Sequence, residues 1–124
     1  MKNILILEDE PSLSKSLSQT LKRAKFAVTA VANGRDGLTA AEAHHPDLII
    51  LDILMPIMDG LTVLRELRQK PWAKKIPVII LSNLTLNEKQ LKEFTQRPHA
   101  QYLVKADTKL KDIVNAVKKL TAEK

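Results

Sequence analysis

The chain contains no cysteine, which excludes both a disulfide framework and a cysteine-ligated zinc site. Aromatic residues are scarce. One Trp, one Tyr and two Phe in 124 residues are few for stacking the bases of a single-stranded nucleic acid. Long apolar runs are missing as well. The first run, Ile4 to Leu7, is closed at once by Glu8, Asp9 and Glu10. It is too short for a secretory h-region and is followed by the wrong charges. No stretch approaches the ~20 apolar residues of a membrane-crossing helix. Also absent are G-x-x-x-x-G-K-[ST], G-x-G-x-x-G, H-E-x-x-H and G-x-S-x-G, so no rival motif competes for the chemistry. These absences lead to the expectation of a soluble, cytoplasmic protein with no membrane partner.

What is present suits one compact domain. A chain of 124 residues with 44% hydrophobic residues can bury a single core without disulfides or structural metal. No linker or low-complexity tract divides it, so the expectation is one domain over residues 1–124 with no output domain. The net charge of +6 is uneven: residues 1–62 carry −2 and residues 63–124 carry +8. A solvated surface explains the basic half most simply. An acidic protein partner would suit it too, whereas nucleic acid is not expected, because no reader motif accompanies the charge.

Four continuous apolar runs mark buried strands: Ile4–Leu7, Leu48–Leu51, Val78–Leu81 and Tyr102–Val104. Runs without polar alternation suit a parallel sheet covered on both faces. A weaker run, Phe26 to Val31, reads as an edge strand. Helical segments fill the spaces. Pro11 opens one through Ala24. Asn33-Gly34 starts a second through Ala43, and Asp59 caps a third. Thr85 and Glu88 have capping-box spacing ahead of Leu91 and Phe94. Asp107 or Thr108 is expected to cap the last, with Leu110, Ile113, Val117 and Leu120 as its inner stripe. Strand and helix alternate five times, which predicts a parallel α/β sheet between two helical layers.

In such sheets ligands bind at the carboxyl ends of the strands. Those ends carry Glu8 and Asp9, then Asp52, Ser82 and Lys105. Three carboxylates in one crevice repel one another. At ~4 Å and an effective dielectric of ~20, one like-charge pair costs roughly 4 kcal/mol. Lys105 alone cannot cancel that, but a divalent cation can, and oxygen ligands favour Mg²⁺. A carboxylate nucleophile with a metal, an ammonium and a hydroxyl suits phosphoryl transfer. Each residue taken alone has a plainer reading as a cap, a turn or a solvent-facing group. Their coincidence at four strand ends is what argues for a site. His44 and His45 read as surface residues, Trp72 as a packing anchor before the fourth strand, and Met55 and Met58 as loop packing.

Glu8-Asp9-Glu10, Leu51-Asp52-Ile53-Leu54-Met55-Pro56-Ile57-Met58-Asp59-Gly60, Leu81-Ser82 and Tyr102-Leu103-Val104-Lys105 together resemble the receiver domain of two-component response regulators, in the stand-alone, chemotaxis-regulator-like form. The resemblance spans the whole chain. It implies a three-layer, flavodoxin-like (βα)5 doubly wound sheet of strand order 2-1-3-4-5. It implies a signalling switch rather than an enzyme, with Asp52 phosphorylated by a histidine kinase or histidine phosphotransfer protein. Glu8, Asp9, Asp52 and the Leu54 backbone carbonyl would hold Mg²⁺. Lys105 and Ser82 would contact the phosphoryl oxygens, and Ser82 and Tyr102 would form the switch. The face of the fourth helix, fifth strand and fifth helix would meet a downstream effector protein or a second copy in a homodimer.

Several positions depart from the family pattern. Ala106 stands where the family has a cis-proline, and a cis bond before alanine costs ~3–4 kcal/mol, which leaves the aim of Lys105 open. Asn83 is bulkier than the usual small residue, and Pro98-His99 replaces Gly-Ala. Leu54 and Leu84 cannot hydrogen-bond an attacking water, so slow self-dephosphorylation is expected. The alternatives are a pseudo-receiver that binds partners constitutively, a nucleic-acid binder, and an aspartyl-phosphate phosphatase. The last is opposed by Asp52-Ile53-Leu54, where Leu54 stands at the position of those enzymes' second aspartate.

Overall fold

The computed structural model describes residues 1–83, 87, 89, 92 and 100–122. Five strands are β1 (Asn3–Leu7), β2 (Ala27–Val31), β3 (Leu48–Leu51), β4 (Val78–Ser82) and β5 (Ala100–Val104). Three helices, α1 (Pro11–Arg23), α2 (Gly34–His44) and α3 (Gly60–Arg68), precede a C-terminal helix (Leu110–Thr121). All strands are parallel, in the order β2-β1-β3-β4-β5. The helix expected around Thr85, Glu88, Leu91 and Phe94 falls outside the described residues. Among the described residues no helix is long and apolar enough to cross a membrane.

The apolar runs are continuous because each feeds two cores. Successive strand residues point to opposite faces. Leu5, Leu7, Ile49, Leu51, Val78 and Ile80 pack on one face with Ala41 of α2 and Val63, Leu64 and Leu67 of α3. Ile4, Ile6, Leu48, Ile50, Ile79 and Leu81 pack on the other with Leu17 and Leu21 of α1 and Ile113, Val114 and Val117 of the C-terminal helix. The three middle strands are therefore buried on both sides. The edge strand β2 is only half-buried, as its mixed sequence predicts; β5, whose continuous run Tyr102–Val104 was expected to be buried on both faces, is half-buried too, because it is the other edge strand.

Local chemistry starts the helices. Asn33 Oδ1 accepts from the Asp36 amide at 2.8 Å, and Asp59 Oδ1 accepts from the Thr62 amide at 2.9 Å, each satisfying an orphan N–H of the first turn. The last helix begins differently from the sequence expectation. Neither Asp107 nor Thr108 caps it. Lys105–Asp107 form a 3-10 turn, and the Thr108 hydroxyl is spent on the Val104 carbonyl at 2.6 Å. The helix then opens at Leu110, with Asp112 Oδ2 accepting the Lys109 amide at 3.2 Å.

The loop from β3 to α3 carries two constraints. Ile57 has φ of 70°, a left-handed conformation that a β-branched residue rarely adopts. Gly60 lies so close to the Asp52 backbone that a Cβ there would overlap the Asp52 carbonyl oxygen. Ile57 is largely exposed, so Ile57→Asn should relieve the backbone at little cost in burial. We expect it to raise the unfolding free energy by about 1 kcal/mol, read by urea denaturation. Gly60→Ala should lower the midpoint instead, despite the ~1 kcal/mol that alanine ordinarily gains over glycine in a helix.

Candidate functional site

The ladder hydrogen bonds run one residue past the strands and place two carboxylates side by side. The Glu8 amide donates to the Val31 carbonyl at 3.1 Å, and the Asp52 amide donates to the Leu7 carbonyl at 3.0 Å. Both side chains are about 4% exposed. Glu8 Oε1 accepts from the Glu10 amide at 3.0 Å, and Asp52 Oδ1 accepts from the Leu54 amide at 3.2 Å. Asp9, the next residue along, is exposed. One carboxylate oxygen from each of Glu8, Asp9 and Asp52 lies within 4.8 Å of the others.

Lys105 enters from the turn after β5. Its Nζ stands 2.8 Å from Asp52 Oδ2 and 2.9 Å from Glu8 Oε2, with the outlying Glu10 Oε2 at 4.0 Å. The ammonium thus bridges the two buried acids. Three carboxylates against one ammonium leave two uncompensated negative charges. An all-oxygen donor set of that charge fits a hard divalent cation.

The protonation equilibria follow from this crowding. Burial pushes the Glu8 carboxyl above its ordinary value of 4.5, and the Asp52 charge adds to the shift against hydrogen bonds from Lys105 and the Glu10 amide. Burial works to lower the Lys105 ammonium, but hydrogen bonds to Asp52 and Glu8 overcome it and hold the group above 10.5. The Tyr102 phenol is raised above 10.0 by burial and then by the Asp52 charge.

Ser82 ends β4, is fully buried and pairs in register with Val104. Tyr102 pairs with Ile80 and packs on the core shared with α2 and α3. Strand alternation puts Ser82, Ile80 and Tyr102 on that same face. The structure thus brings together Glu8, Asp9, Asp52 and Lys105, with Ser82 and Tyr102 on the two neighbouring strands. Leu54 flanks Asp52, with its side chain 58% exposed.

Two departures from the family pattern turn out to be joined. No cis peptide occurs among the described residues, so the Lys105–Ala106 bond is trans, and Lys105 still reaches Asp52. The Ala106 amide donates to Asn83 Oδ1 at 2.9 Å. Spacing alone offered no signal for this bond, because 23 residues separate the pair. Glu10 was legible only as a member of the acidic run. Leu84, Pro98 and His99 lie outside the described residues.

Comparison with known proteins agrees with this geometry. Residues 4–118 match a family described as the response regulator receiver domain. The response regulator ArlR of Staphylococcus aureus is 39% identical over 82 residues, 66% of this chain and 36% of that protein. The chain therefore spans about a third of the length of the curated relatives it matches. The receiver domain of a signal transduction histidine kinase from Syntrophus aciditrophicus superposes with a TM-score of 0.84 at 31% identity, covering 98% of this chain and 90% of that one. The receiver domain of the sensor histidine kinase PA1611 from Pseudomonas aeruginosa superposes with a TM-score of 0.83 at 25% identity, covering 97% of each chain. That structure holds a magnesium ion coordinated in its active site cleft.

Because Tyr102 is the only tyrosine, its titration can be followed by absorbance near 295 nm. Asp52→Asn should lower the phenol pKa while leaving it above 10.0, since burial, the larger cause, remains. An unchanged titration would show that the Asp52 charge does not reach the ring.

Proposed function

Since the chain belongs to the response regulator receiver domain family, we propose that it is a phosphoryl-accepting signalling switch with Asp52 as the acceptor. The observation that carries this reading is the contact of Lys105 Nζ with Asp52 Oδ2 at 2.8 Å, beside a three-carboxylate cluster that fits a divalent cation. A histidine kinase or histidine phosphotransfer protein is the proposed donor. In the transfer, a carboxylate oxygen of Asp52 bonds to phosphorus as the phosphorus–nitrogen bond of the phosphohistidine breaks. The electron pair stays on the imidazole nitrogen, which takes up a proton.

Glu8, Asp9, Asp52 and the Leu54 backbone carbonyl are the proposed Mg²⁺ ligands. When bound, Mg²⁺ supplies positive charge to the equatorial phosphoryl oxygens. The Lys105 ammonium is placed to pair with one of those oxygens, and the Ser82 hydroxyl is proposed to donate to another. Inward movement of Ser82 and Tyr102 would carry the state to the face that includes β5 and the C-terminal helix. A downstream effector protein or a second copy of the chain would read it there. Such a switch would work in the cytoplasm. The exposed, apolar Leu54 beside Asp52 cannot orient a hydrolytic water, which supports a long-lived acyl phosphate.

Incubation with acetyl phosphate and Mg²⁺ should add one phosphoryl group to the intact mass, and Asp52→Asn should abolish the gain. A chain that gains nothing would instead be a phosphorylation-independent binding module. Leu54→Asn should shorten the lifetime of the phosphorylated form several-fold, followed by intact mass over time. Metal ligands must be deprotonated to bind. With the Glu8 carboxyl raised above 4.5, Mg²⁺ affinity should weaken as pH falls, beginning above the ordinary carboxylate range. Calorimetric Mg²⁺ titrations between pH 8 and pH 5 would show it, and Glu8→Gln should flatten the trend.

A further inference from the structure

From the bond between Asn83 Oδ1 and the Ala106 amide we infer that Asn83 is a positioning residue for Lys105; the inference rests on the phosphoryl-acceptor reading above. Asn83 directly follows Ser82 at the end of β4, and Ala106 directly follows Lys105 at the end of β5. The hydrogen bond therefore ties together the two loops that carry the hydroxyl and the ammonium of the site. It is possible because residue 106 is not proline. A proline there would have a fixed φ but no N–H to donate.

The turn that starts at Lys105 is fastened on both sides. Behind it, the Thr108 hydroxyl donates to the Val104 carbonyl at 2.6 Å, and the Thr108 amide donates to the Lys105 carbonyl at 3.3 Å. Ahead of it, Asn83 holds the Ala106 amide. Lys105 is a long, flexible side chain that must cross the end of β4 to reach Asp52. Its aim depends on where its own backbone is held. Without the Asn83 contact, the turn loses the hydrogen bond that ties its Ala106 amide to the end of β4. One solvent-facing hydrogen bond adds little to global stability, so its loss acts on the aim of Lys105 rather than on the fold. The proposed metal donors Glu8, Asp9 and Asp52 follow β1 and β3, and the bond from Asn83 runs to Ala106 after β5.

The test combines two readouts on Asn83→Ala, Asn83→Ser and Asn83→Asp. Alanine and serine remove an acceptor long enough to reach Ala106, whereas aspartate keeps one. Alanine and serine should slow phosphoryl gain from acetyl phosphate by about tenfold, short of the ~100-fold that 1 Å of misplacement can cost. Mg²⁺ affinity should stay unchanged, and aspartate should restore the rate. Amide exchange at Ala106 should speed up in the alanine and serine variants alone. Wild-type rates in the alanine and serine variants would overturn the inference. So would a parallel loss of Mg²⁺ affinity, or an aspartate variant as slow as the alanine one. A wild-type chain that takes up no phosphoryl group would instead overturn the acceptor reading itself, and the role of Asn83 with it.

Discussion

Two carboxylates are buried next to each other at the end of this sheet, and one ammonium makes that tolerable. An ionised acid withdrawn from water costs several kcal/mol unless it is paired and hydrogen-bonded. Glu8 and Asp52 are both, through Lys105 and through the amides of Glu10 and Leu54. The partners come from far apart in the chain, with Lys105 separated from Glu8 by 97 residues and from Asp52 by 53. Strand order is what unites them. With β1 beside β3, the two acids become neighbours. With β4 between β3 and β5, the ammonium must reach across about 10 Å, two strand spacings. That path runs over the end of β4, where the residue is the small, fully buried Ser82.

The same arrangement explains why the middle strands are so uniformly apolar. A sheet with helices on both faces has no solvent side on which polar residues could alternate. The positions that escape this rule lie one step beyond the strand ends, where the ladder closes and the helical layers give way. Charge collects there because it is the first point at which polar side chains can reach each other or water. Gly60 extends the constraint to the next loop. By packing on the Asp52 carbonyl, it allows the start of α3 to sit against the acid-bearing segment.

Much of this was legible in the sequence. Continuous apolar runs, Pro11 in the first turn of α1 and caps at Asn33 and Asp59 specify the elements, because each rests on local stereochemistry. The strand-end residues specify the site, because in a parallel sheet all carboxyl ends share one edge. Contacts made by backbone groups across loops were not legible. Nothing local marks the Ala106 amide as the partner of Asn83, or Lys109 rather than Thr108 as the start of the last helix. In the second case the hydroxyl had a nearer acceptor, the Val104 carbonyl. Ile57 was equally opaque, since its residue type argues against the left-handed backbone that the loop imposes. The long-range pairing of Lys105 became visible only through the set of strand ends, not through any motif of its own.

At the opposite end of the sheet, the rings of His45 and Trp72 stack with centroids 4.2 Å apart and planes 4° from parallel. These residues precede β3 and β4 and so belong to the amino-terminal edge, while the acids occupy the carboxyl-terminal one. Trp72 is the only tryptophan of the chain and hence its main intrinsic fluorophore. Its ring lies flat against the His45 imidazole. Fluorescence of this protein therefore reports the packing at the amino-terminal edge of the sheet. The Tyr102 phenol, raised in part by the Asp52 charge, is the chromophore that belongs to the other edge.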